Sequence, residues 1–120
     1  MKRCTCAIVA VWMLGNATPS EAHAFLDRAE PRVGATVQAA PDEVKLWFSQ
    51  KIEQAFSSLN IRDAKGERVN KANSRVDPAD HTLLRVAIGA LPPGTYTVVW
   101  RVVSVDTHVT EGDFVFRVSQ

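Results

Sequence analysis

Near the C-terminus the run Ser104-Val105-Asp106-Thr107-His108 places a carboxylate two residues before an imidazole. It ends the apolar stretch from Tyr96 to Val105, so a strand is expected to carry it. Alternate side chains of a strand share a face, so Asp106 and His108 are expected to point the same way. Their Cα atoms would then lie about 6.5 Å apart, at a rise of about 3.3 Å per residue. A carboxylate oxygen and an imidazole nitrogen at that spacing can meet on one small ion. Two donors make a weak site, so the rest of the chain must supply the others.

A third donor comes from the opposite end of the sequence. Lys2 and Arg3 form a basic start, and Ala7 to Leu14 is an apolar stretch too short to span a bilayer. Ser20-Glu21-Ala22 then offers small residues at the positions a signal peptidase reads, with the cut before His23. Residues 1–22 are therefore expected to be a signal peptide, and residues 23–120 the mature, exported domain. A bacterial periplasm is the expected address. A cut after Ala24 has equally small flanking residues and would discard His23.

Cleavage before His23 changes its chemistry. The new α-amine and the imidazole Nδ1 can close a chelate ring on one metal. An α-amine has an ordinary pKa of about 7.7–8.0, so a metal can displace its proton near neutrality. Two nitrogens from His23, one from His108 and an oxygen from Asp106 give a set of three nitrogens and one oxygen, which suits tetragonal Cu(II). Zinc can use the same donors but prefers a tetrahedron. Cys4, Cys6, Met1 and Met13 all precede His23, so the mature chain has no sulfur ligand and no disulfide. His81, the remaining histidine, follows Asp80 in a polar stretch and reads as a turn residue.

The elements that must position these donors read as strands. Phe25 to Glu30 is a short strand ended by Pro31, and Ala35 to Val37 is another. Glu43 to Ser49 and Phe56 to Arg62 alternate polar and apolar residues, and Thr82 to Ile88 is a further strand. Asp63-Ala64-Lys65-Gly66 is hairpin turn chemistry, with Glu67 to Val69 returning from it. Asn70 to His81 reads as a long loop. Leu91-Pro92-Pro93-Gly94 is a tight turn into the longest strand, Thr95 to Val103, and Gly112 to Val118 closes the domain. About seven short strands without a helical period predict an all-β, immunoglobulin-like Greek-key β-sandwich. Trp47 and Trp100 are expected in its core, and Arg101 on its surface.

Composition narrows the function. The chain is 46% hydrophobic and 22% charged, with a net charge of +1 and no dense basic run. Nucleic acid is not an expected partner. Beyond the leader no segment approaches the length of apolar chain that spans a membrane, so the mature protein is not expected to be membrane-embedded.

The mature chain resembles the CopC family of periplasmic copper-binding proteins along its whole length. The resemblance rests on His23-Ala24, on Glu30-Pro31-Arg32-Val33-Gly34, and on Pro41 followed by the strand ending Phe48-Ser49. It continues through Leu91-Pro92-Pro93-Gly94-Thr95-Tyr96-Thr97-Val98-Val99-Trp100, then Asp106-Thr107-His108 ahead of Gly112-Asp113-Phe114-Val115-Phe116. It implies a Greek-key sandwich, one Cu(II) on His23, Asp106 and His108, and a role in copper sequestration, trafficking or resistance beside a CopD-type inner-membrane protein. Two positions depart from the family pattern. The loop from Arg68 to His81 lacks the methionines that some members use for Cu(I), so no Cu(I) site is expected. Gln50 stands where many members have glutamate after Phe-Ser, and an amide brings no charge to the site.

A competing class is a copper-dependent oxidative enzyme with an N-terminal histidine brace. Those enzymes use two neutral histidines and an open position. Asp106 would crowd that position here, which favours held Cu(II) over turnover. A third reading is a plain adhesion sandwich, which would take up no Cu(II).

Overall fold

The computed structural model describes residues 24–119. His23 and the expected signal peptide lie outside the described residues. Eight strands build the described chain: β1 (Leu26–Glu30), β2 (Thr36–Val37), β3 (Glu43–Phe48), β4 (Ser58–Arg62), β5 (Arg75–Val76), β6 (Leu83–Ala87), β7 (Gly94–Val103) and β8 (Val109–Val118). One 3-10 turn, Gln54–Phe56, interrupts them. The strands form two four-stranded sheets, ordered β1-β3-β6-β5 and β2-β8-β7-β4. All pairings are antiparallel except β2 with β8. This is the expected all-β Greek-key β-sandwich.

The alternation in the sequence decides which face of each strand is buried. Val44, Leu46 and Phe48 of β3 turn inward, as do Leu59 and Ile61 of β4 and Leu84 and Val86 of β6. Tyr96, Val98 and Val102 of β7 meet Phe114, Phe116 and Val118 of β8 in the same core. Trp100 packs against this cluster, with its ring centroid 6.2 Å from that of Phe48 and 6.1 Å from that of Phe114.

Three expectations need correction. Trp47 is not in the core: it shares the outward face of β3 with Glu43 and Lys45, and the Arg28 guanidinium lies 4.5 Å over its ring. The period of two that buries Val44, Leu46 and Phe48 forces Trp47 outward. The polar stretch from Asn70 to His81 is not all loop, because Arg75 and Val76 pair with Arg85 and Leu84 as β5. Glu67 to Val69 returns from the Asp63–Gly66 turn through the single bridge Arg62 to Arg68, without becoming a strand.

Two local arrangements fix the sheets. On the outer face of the first, Arg85 Nε and Nη2 donate to the two Glu43 oxygens at 2.5 and 2.9 Å, and Nη1 donates to Asp77 Oδ1 at 2.7 Å. This ties β6 to β3 and to the segment after β5. In the second sheet Trp100 faces Gly112 across the β7–β8 pairing. A Cβ at position 112 would lie 2.3 Å from the indole Cζ2, so only glycine leaves the tryptophan its place.

Gly112→Ala should therefore cost about 1–3 kcal/mol, the usual range for overpacking. Denaturant unfolding measures this, and an unchanged midpoint would contradict the packing. The Arg85 cluster predicts a pH dependence. The Arg85 hydrogen bonds hold the Glu43 and Asp77 carboxyls below their ordinary values. Groups depressed in this way stabilise the fold above the unfolded carboxylate range of about 4 and lose that contribution as pH falls through their folded values. Arg85→Met should lower the melting midpoint at neutral pH, and its gap to wild type should close as pH falls below about 4. A gap constant with pH would mean that Arg85 acts through packing alone.

Candidate metal centre

Asp106 and His108 do not lie on a strand. β7 ends at Val103 and β8 begins at Val109, so residues 104–108 are the loop between them. Val103 and Val109 form the last pair of the ladder. Beyond it Ser104 N donates to His108 O at 2.9 Å, and Thr107 N donates to Ser104 O at 2.8 Å. Thr107 takes a left-handed conformation, with φ of 72°. A left-handed residue closing a three-residue loop is a common way to reverse a hairpin. Val105 extends the apolar run in sequence only, for its side chain is 54% exposed.

The turn nevertheless brings the two donors together. His108 Nδ1 lies 3.3 Å from Asp106 Oδ2. The Ser104 hydroxyl donates to the other carboxylate oxygen, Oδ1. The Ser104 hydroxyl, and after it His108, hold the Asp106 carboxyl below the ordinary carboxylate range. It is therefore ionised at neutral pH, the state a metal requires. The side chains of His108 and Asp106 are 44% and 40% exposed, so an ion can reach them from water.

A short segment links this loop to the first described residues. The Ser49 N–H donates to Phe25 O, and Ser49 Oγ accepts from the Phe25 N–H, both at 2.8 Å. Ala24 is fully buried. Two residues further on, Lys51 O accepts from Val105 N at 3.0 Å, and Glu53 N donates to Val103 O at 2.8 Å. Ile52, buried between them, bridges to Ser104. The segment from Ser49 to Glu53 thus holds the start of the described chain at one end and the β7–β8 loop at the other. Gln50 lies within it.

His81 is an exposed turn residue, as expected, and its carbonyl accepts from Ile52 N at 3.0 Å. Arg101 is on the surface and pairs with Glu111 at 3.2 Å. Among the described residues no group of three or more His, Cys, Asp or Glu is placed to hold a metal. Asp106 and His108 come together as a pair, and the third expected donor, His23, lies outside the described residues. The sequence gives Ser104 no evident role and, within the Ser49–Glu53 segment, singles out Ser49 and Gln50 alone. The available signal was Ile52, a lone apolar residue between Lys51 and Glu53.

The CopC domain model matches residues 26–119 of the chain. The chain belongs to the CopC family. It is 39% identical to protein YobA of Escherichia coli K12 over 112 residues, 92% of this chain and 90% of that protein. It is 34% identical to copper resistance protein C of Escherichia coli over 113 residues, 88% and 89% of the two chains. The crystal structure of CopC from Methylosinus trichosporium OB3b superposes with a TM-score of 0.76 at 35% identity, over 81% of this chain and 94% of that one. This CopC sandwich therefore shares its overall fold with that protein.

Proposed function

We propose that the mature chain binds one Cu(II) ion in the periplasm through His23, Asp106 and His108, and serves copper sequestration, trafficking or resistance. The observation that carries this reading is the Asp106–His108 pair, its carboxylate ionised and both side chains exposed on one tight loop. Its second support is the Ser49–Glu53 segment, bonded both to that loop and to Phe25. Membership of the family that includes copper resistance protein C supports the same metal.

On this reading residues 1–22 are removed as a signal peptide, and the cut makes His23 a chelator through its α-amine and Nδ1. Three nitrogens and one carboxylate oxygen then favour Cu(II) in a tetragonal field. The only two methionines, Met1 and Met13, and both cysteines leave with the leader, so Cu(I) finds no soft ligand. Asp106 fills the plane that an oxidative enzyme leaves open, which makes this a binding protein. Among the described residues no helix is long and apolar enough to cross a membrane, and a CopD-type inner-membrane protein is the partner the family implies.

Adding one residue before His23 should remove the amine chelate. Competition titration should then give Cu(II) affinity lower by at least about a hundredfold, since even loss of an outer partner costs about 10–100-fold. His108→Ala should weaken binding comparably, and His81→Ala should leave it unchanged. Wild-type affinity in the extended protein would sink the proposed site.

A further inference from the structure

We infer that Ser104 is a positioning residue for the metal site: its buried hydroxyl fixes one oxygen of Asp106, so that the other alone faces the ion. The inference rests on the copper reading above. Ser104 is fully buried and is the one buried polar or charged residue among those described. Burying a hydroxyl is costly unless it is hydrogen-bonded. Here it has two acceptors in reach, Asp106 Oδ1 and His108 O, the latter at 3.3 Å. The His108 carbonyl already accepts from Ser104 N at 2.9 Å. A carboxylate is the stronger acceptor, so the single hydroxyl hydrogen goes to Asp106.

Ser104 is itself held in place. Its N–H, its carbonyl and its bridge to Ile52 are all engaged. The hydroxyl therefore starts from a fixed backbone and ends on Oδ1. Oδ2 is left on the His108 side, 3.3 Å from Nδ1. A carboxylate pinned by one oxygen binds a metal through the other alone. That leaves the remaining positions of a four-donor plane to nitrogen, as Cu(II) prefers. A freely rotating carboxylate would lose orientation and could close on the ion through both oxygens. Outer partners of this kind set ligand geometry and metal affinity.

The test is a double-mutant cycle on the mature protein with Cu(II) as the probe. Ser104→Ala should weaken Cu(II) by about 10–100-fold in competition titration. It should also change the Cu(II) paramagnetic-resonance and visible spectra while the apo-protein keeps its circular dichroism. Ser104→Thr, which keeps the hydroxyl, should restore the wild-type spectrum. In an Asp106→Ala background Ser104→Ala should have no further effect, because the carboxylate it orients is gone. Wild-type affinity and spectrum in Ser104→Ala would overturn the inference. So would an equal loss with and without Asp106, since the serine would then act on the loop in general. If Asp106→Ala itself binds Cu(II) like wild type, the copper reading falls and this inference with it. If Asp106→Ala weakens binding and Ser104→Ala does not, only the role of Ser104 falls.

Discussion

Everything at the candidate site depends on how the β7–β8 hairpin is closed. Ten residue pairs, from Gly94↔Val118 to Val103↔Val109, run the length of the hairpin. The chain then reverses within five residues, held by Ser104 N to His108 O and by Thr107 N to Ser104 O. A hairpin closed this tightly leaves Asp106 and His108 almost no choice of relative position. The left-handed Thr107 is the local cost, since a β-branched residue is disfavoured there by sterics. The surrounding ladder over-determines the loop and so sustains that strain. Gly112 plays its part lower down the hairpin, where its lack of a side chain lets Trp100 lie flat against the strand that leads out of the loop.

The second constraint is the backbone lacing of Ser49–Glu53. In a sandwich the first and last strands can end far apart, and β1 belongs to one sheet while β7 and β8 belong to the other. The segment after β3 crosses between them. It bonds to Phe25 on one side and to Val103 and Val105 on the other, with Ile52 buried beneath. Residues some 80 positions apart in sequence are thus referred to one common element. Apart from the Ser49 hydroxyl, which accepts from the Phe25 N–H, the link is made by main-chain bonds.

Much of the fold was legible because the physics is local. β3, β4, β7 and β8 declare themselves by a period of two, although Gly112, read as the start of the last strand, lies inside β8. β5 was not legible: two residues in a polar stretch carry no period, and only the neighbouring β6 makes them a strand. Trp47 misled through its residue type, although the alternation of Val44, Leu46 and Phe48 already placed it outside. Asp106 and His108 were legible as a pair, but for a wrong reason. Val105 prolonged the apolar run and suggested a strand, whereas Asp and Thr in succession were turn chemistry. Strand and turn happen to give the same juxtaposition. The role proposed for His23 comes only from the chemistry of the expected cleavage site, since nothing in strand patterning marks it.

The geometry also separates two demands that conflict. A metal must enter from water, so its donors must be exposed, and both Asp106 and His108 are more than a third exposed. Yet exposed side chains are free to rotate, and a loose donor binds weakly because its orientation must be fixed on binding. The loop resolves this by placing the fixing atoms one layer below the donors. Ser104 is fully buried and Ile52 nearly so, and both lie directly under the turn. Core rigidity is thus carried to the surface through one hydroxyl and a few main-chain bonds. A site of this form can be open to its ion and still hold it in one geometry.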